Sequence, residues 1–211
     1  ALDRNGGCFL SGAVELGYGQ TGFNPANADL MDPDETFEQS ATSYPLLGAG
    51  LAFYLQPNDD FYLKLGLSGR NLNQPNVSSM GRDDLVLDRK LNLYARAEWR
   101  VWSDVALLPV ALAQWQRQNR EYVVGCDAKW YVAEGSHPVS FSGGVRYRVG
   151  DAVYMEYAFE WEAFLFALAY DANLSRLTPA SHSVGAFELG LIYRINAKQT
   201  SKRKALPCPI L

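Results

Sequence analysis

Apolar and polar side chains alternate with a period of two along most of this chain. Within residues 91–100 the odd positions are Leu91, Leu93, Ala95, Ala97 and Trp99, and the even ones are Asn92, Tyr94, Arg96, Glu98 and Arg100. Successive side chains of a β-strand point to opposite faces, so such a segment builds a ribbon with one greasy side and one charged side. The same split sets Phe61, Leu63, Leu65 and Leu67 against Tyr62, Lys64, Gly66 and Ser68. It recurs at Val139–Arg148 and again where Phe187, Leu189, Leu191 and Tyr193 oppose Glu188, Gly190 and Arg194. Period-two matching predicts about ten strands, near 8–19, 46–56, 61–69, 90–101, 104–116, 121–132, 138–149, 152–160, 163–171 and 184–195. No stretch carries apolar residues at helical spacing.

Connections sharpen the picture. The stretches 20–45, 70–89 and 172–183 are long and polar, whereas Pro57-Asn58-Asp59-Asp60, Trp102-Ser103-Asp104 and Glu134-Gly135-Ser136 are tight. With alternating strand direction, the three long stretches fall on one side, as in outer-membrane barrels. The connections at 117–120 and Gly150 belong to that side too but are short.

A soluble antiparallel barrel or sandwich, apolar face inward, would show the same alternation. Two features favour a membrane barrel. The polar face mixes glycines and tyrosines with charges of both signs, as a lumen of paired side chains needs. Aromatics also gather near predicted strand ends, at Tyr54, Phe61, Tyr62, Trp99, Trp102, Trp115, Trp130, Tyr131, Tyr147, Tyr154, Phe159, Trp161 and Tyr193, as interfacial girdles do. The expected architecture is an all-β antiparallel transmembrane barrel over residues 1–196, its ten or so visible strands either the whole barrel or part of a larger one, with a C-terminal tail at 197–211. Closure would remove unpaired backbone edges, each costing several kcal/mol in hydrocarbon.

Composition excludes some classes. With 211 residues and a net charge of −4, the chain fits one domain and lacks the basic surplus of a nucleic-acid binder. Its apolar runs fall short of the roughly 18–20 residues of a spanning helix. Ala1 opens without a charged and then apolar leader, as in a chain whose signal peptide is gone or in a fragment. Cys8, Cys126 and Cys208 match no zinc or redox spacing and allow at most one disulfide, and buried or unpaired thiols are expected.

Candidate chemistry is sparse. His137 and His182 are the two histidines, and Ser181-His182-Ser183 only faintly suggests a lipid-modifying hydrolase, since neighbours in one loop rarely form a relay. Asp32, Asp34 and Glu35, like Asp83 and Asp84, lack the spacing of a calcium loop and read as solvated charge. No catalytic, cofactor or metal residue is assigned. Arg96, Glu98, Arg146, Arg148 and Glu156 read as a lumen network, joined by Glu160 and Glu188, because a charge inside a barrel wall needs an opposite partner across the strands. Lys198, Lys202, Arg203 and Lys204 form a basic tail that either stays solvated or meets anionic lipid.

From Asp151-Ala152-Val153-Tyr154 to Tyr193 the chain resembles the PorP/SprF family of membrane proteins, associated with type IX secretion and gliding motility in Bacteroidota. The resemblance rests on Asp151-Ala152, on the run Tyr170-Asp171-Ala172-Asn173-Leu174-Ser175-Arg176-Leu177, and on Gly185-Ala186-Phe187-Glu188-Leu189. Upstream, Gly66-Leu67-Ser68 followed by Asn71-Leu72-Asn73-Gln74-Pro75 is similar to another family element, with Arg70 near where the family commonly has His. Asn24-Pro25-Ala26 loosely matches an N-terminal one, and Cys208-Pro209 looks like the family's ending. The resemblance implies a non-enzymatic outer-membrane component that supports export or anchoring of secreted surface cargo. Lipids, periplasmic proteins and lipoproteins are its implied partners, and Asp151, Tyr170, Asp171, Asn173, Ser175, Leu177, Gly185, Phe187 and Glu188 its implied contact or motif residues. A passive porin for small solutes is the alternative.

Overall fold

A computed structural model of the chain describes residues 7–22, 41–78, 85–134, 137–174 and 185–195. These form ten antiparallel strands in one sheet: β1 (Cys8–Gly22), β2 (Ala41–Asn58), β3 (Phe61–Arg70), β4 (Lys90–Arg100), β5 (Val105–Gln116), β6 (Asn119–Ala133), β7 (Val139–Arg148), β8 (Ala152–Trp161), β9 (Phe164–Asn173) and β10 (Phe187–Tyr193). Each strand pairs with its sequence neighbours in a simple meander. Strand number and positions follow the alternation. The largest departure is at β1 and β2, which run on to Gly22 and back from Ala41. There Tyr18 to Gly22 pair with Pro45 to Ala41, a polar and glycine-rich stretch in which pairing leaves no periodic signal.

The sheet curls toward its polar face. Alternate strands of a sheet lie about 9.6 Å apart, yet side chains on that face bond across the strand between. Tyr131 on β6 reaches Glu98 on β4, Lys129 on β6 reaches Glu160 on β8, and Arg70 on β3 reaches Glu15 on β1. Gln56 of β2 and Ile192 of β10 line one and the same cavity, of about 400 Å³. The curl does not close: among the described residues β1 pairs only with β2 and β10 only with β9. The structure is therefore a curled ten-stranded sheet, and the hydrogen-bonded ring expected of a barrel is not formed in it.

Tight turns join the strands on one side, at Asp59-Asp60, 101–104 and Glu162-Ala163. The opposite side carries the connections after β1, β3 and β9 together with two short hairpins. One of these turns through Gly150, whose φ of +77° is a left-handed conformation that glycine adopts without penalty. Pro109 marks an interruption between β4 and β5. Arg96 pairs with Val110 and Trp99 with Leu107, but Pro109, lacking an N–H, has no register partner on β4.

Which face is hidden decides the character of the fold. On the concave face the side chains of Asp127, Lys129 and Arg146 are 8, 13 and 15% exposed. On the convex face Leu67, Trp99 and Trp130 are 53, 56 and 56% exposed. Strand parity places leucines, valines, alanines and aromatics along the convex face, where Arg120, at the end of β6, is the sole charged strand residue among those described. A soluble sandwich buries its greasy side; this sheet does the reverse.

Candidate functional site

Two regions concentrate polar structure: the concave face and the rim where the longer connections emerge. On the concave face, register sets the pairs. Asp127 lies opposite Gly144, which in turn lies opposite Glu156, so two carboxylates from β6 and β8 flank β7. Arg146, one alternate position along β7, reaches both: Nη2 donates to Asp127 Oδ2 at 2.8 Å, and Nη1 pairs with Glu156. Glycine opposite each charge makes the room. A Cβ on Gly144 would lie 2.5 Å from Asp127 Cα, and one on Gly125 would lie 2.5 Å from Arg146 Cγ.

A second cluster centres on Glu160. Lys129 Nζ donates to its Oε2 at 2.9 Å and Ser140 Oγ to the same oxygen at 3.1 Å, while Arg194 Nη2 reaches Oε1 at 3.3 Å. Tyr131 donates to Glu98, with the Arg100 guanidinium 4.4 Å from its ring centroid. Burying charges this far is tolerated only with opposite partners and hydrogen bonds in place.

Of the residues expected in a polar network, Arg146 and Glu156 pair on the concave face, and the others are placed differently. Glu160 joins Lys129 and Arg194 rather than the arginines of β7. Arg148 instead meets Glu121 at 3.3 Å and Asp151 at 3.1 Å. Glu188 shares the concave parity but is exposed on edge strand β10 and forms no ion pair with any described residue. Arg96 faces Lys64, not an acid.

Several aromatics expected in girdles face inward. Tyr54 is 4% exposed and stacks on Phe9, while Tyr62, Tyr131 and Tyr154 share faces with Lys64, Lys129 and Arg146. Their parity with charged neighbours already gave this away. The remainder form two convex bands. Phe61, Trp99, Trp130, Phe159, Trp161 and Tyr193, joined by Phe164, stand at the tight-turn side with Trp102 in a turn there, and Trp115 and Tyr147, joined by Tyr122, Tyr170 and Phe187, at the other. On β6 the bands are separated by the eight residues from Tyr122 to Trp130, about 26 Å along the strand, on the scale of the apolar belt of membrane barrels.

The rim is ordered by side chains that mimic a neighbouring strand. Beyond Gly69, β2 has no β3 partner. There Asn73 clamps it, Nδ2 donating to Pro45 O at 2.9 Å and Oδ1 accepting from Leu47 N at 3.1 Å. Leu72 N donates to Leu47 O, and Thr42 Oγ1 donates to Ser78 O. Asn71 Nδ2 and Gln116 Nε2 both donate to Asp88 O, tying this connection to β5. The clamp escapes pattern reading because it works through one amide, without periodicity.

Motif residues meet at the same rim. Asp171 N donates to Ala186 O at 3.0 Å and its Oδ1 accepts from Ala186 N, while Leu174 N donates to Asp151 O at 2.7 Å. A Cβ on Gly185 would collide with the Asp171 carbonyl and carboxylate, which explains a glycine there. Tyr170 and Phe187 are register partners and expose their rings on the convex face, and Asn173 ends β9 opposite Ala152. Ser175, Leu177, His182, the acidic groups at 32–35 and 83–84, Asn24-Pro25-Ala26, Cys208 and the basic tail lie outside the described residues. His137 Nδ1 lies 2.5 Å from Glu162 Oε1 across two turns on the opposite side. Cys126 is an exposed free thiol on the convex face.

A sheet that hides its charges and shows a charge-poor apolar exterior between aromatic bands has the layout of a protein that crosses a membrane with strands. The chain belongs to the PorP/SprF family of type IX secretion system membrane proteins, whose family model matches residues 3–193. No curated protein and no solved structure matches the chain. Membership makes it a membrane component of the secretion machinery and implies interaction with other proteins of that machinery.

Proposed function

We propose that the chain is a non-enzymatic outer-membrane component whose curled sheet sits in the bilayer with its convex face in hydrocarbon. Its ordered rim docks periplasmic or lipoprotein partners and supports export or surface anchoring of secreted cargo. One observation carries this reading: the exposed face is apolar and nearly free of charge, whereas the charged face is the hidden one. Hydrocarbon tolerates no unpaired strand edges, so β1 and β10 meet in the membrane. Ten strands is an even number, which sets those two edges antiparallel, as closure of a barrel requires.

Arg146 with Glu156, Lys129 with Glu160 and Tyr131 with Glu98 bond across the wall, which supports a filled lumen rather than a wide pore. The rim residues Asp151, Tyr170, Asp171, Asn173, Gly185, Phe187 and Glu188 are the proposed docking surface, since binding residues concentrate on loops held by a rigid scaffold. The test is photo-crosslinking in cells from Leu174, 61% exposed beside that surface. The expected products are proteins of the secretion machinery or its cargo. Crosslinks to lipid alone, together with steady open-channel current in planar bilayers, would replace this reading with a passive porin.

A further inference from the structure

On the concave wall of β3 and β4 one contact breaks the rule of matched charges. Lys64 and Arg96 are direct register partners, both half-buried and both lining the cavity of about 400 Å³. Like charges placed opposite each other on one sheet face repel. Neither cation forms an ion pair with any described residue. Among the acids that share the cavity, Asp127 and Glu156 pair with Arg146 and Glu160 with Lys129 and Arg194, while Glu98 accepts from Tyr131 and forms no ion pair with either cation. Asp59 and Asp60 stay in the β2–β3 turn and form no ion pair with either cation. The Lys64 ammonium lies 5.7 Å from the Tyr54 ring centroid and 5.9 Å from that of Tyr94, contacts that hold it in place but supply no counter-charge.

We propose that Lys64 and Arg96 form an oxyanion site in the lumen, bridged by a carboxylate or a phosphate. The chemistry suits both cations. A guanidinium presents a planar fork of donors to two oxygens, and an ammonium adds a compact point charge beside it. The surrounding tyrosines Tyr54, Tyr62 and Tyr94 wall the site, and the cavity gives an anion access to both cations. The inference goes beyond the membrane role proposed above and stands on the direct opposition of Lys64 and Arg96 and the cavity beside them.

The test follows thermal unfolding of the full chain, folded in detergent, during titration with succinate, with inorganic phosphate and with sodium chloride at matched ionic strength. Wild type is expected to show a saturable rise in Tm with at least one oxyanion, half-complete at a concentration at least tenfold below any effect of chloride. A response to succinate names a carboxylate of solute or polypeptide origin; a response to phosphate names a phosphate source; a response to both defines a general oxyanion site. K64M and R96M are each expected to lose the rise, and K64M to unfold no earlier than wild type in chloride, because it removes the repulsion. R70Q, which alters a cation outside the cavity, is expected to keep the full response. Equal behaviour of oxyanions and chloride in wild type, or an undiminished oxyanion response in both K64M and R96M, overturns the proposal.

Discussion

Lys129 and Trp130 are consecutive residues of β6, and they meet opposite surroundings. The lysine, turned to the concave side, is 13% exposed and bonded to Glu160 across β7. The tryptophan, turned outward, is 56% exposed and lies opposite Phe141. The difference teaches that position along the chain matters less here than parity. One step of a strand separates a charge that must be paired from a ring that finds no protein to cover it. In water this arrangement is inverted; in a bilayer it is the stable one.

Deleting the arginine that serves both carboxylates breaks the inner half of this comparison most severely. R146M leaves Asp127 and Glu156 without their cation and is expected to cost about 3–5 kcal/mol, read as a lower midpoint in urea unfolding of the detergent-folded protein. Charging the outer half comes next. L93R puts a guanidinium on the convex face near mid-strand, with an expected cost of about 2–4 kcal/mol in a bilayer, measured by unfolding from lipid vesicles. In detergent the loss is expected to shrink, since a micelle yields more readily around a charge. G144A strikes at packing alone. The added methyl group meets Asp127, and overpacking of about 1–3 kcal/mol is expected in the same urea assay. The smallest effect belongs to the rim. Arg70 and Glu15 pair at 2.5 Å, but their side chains are 57 and 46% exposed, so R70Q is expected to shift stability by less than about 1 kcal/mol and to lose even that at high salt.

Much of this fold was legible because a strand buried on one face writes its geometry into every second residue. Leu91–Arg100 and Val139–Arg148 needed nothing else. Period two also assigned the inner and outer sets, and read consistently it would have kept Tyr62 and Tyr131 out of the girdles. The alternation was silent where neither side meets an apolar environment, as at the Gly22 and Ala41 ends of β1 and β2. Pairings that skip a strand, such as Lys129 with Glu160 and Tyr131 with Glu98, were beyond reach, because they depend on curl as well as register. The Asn73 clamp and the Lys64–Arg96 opposition needed the register between specific strands. The alternation could not say which face was hidden, the one question on which soluble and membrane readings divide.

All five tryptophans, Trp99, Trp102, Trp115, Trp130 and Trp161, belong to the convex face or its turns, so intrinsic fluorescence reports on what covers that face. The direct measurement is fluorescence of the folded wild-type protein in vesicles whose acyl chains carry bromine near the headgroup end. Strong quenching, relative to vesicles of unbrominated lipid, is the predicted result. Unchanged emission from a protein that stays folded and dispersed in plain buffer would contradict the account.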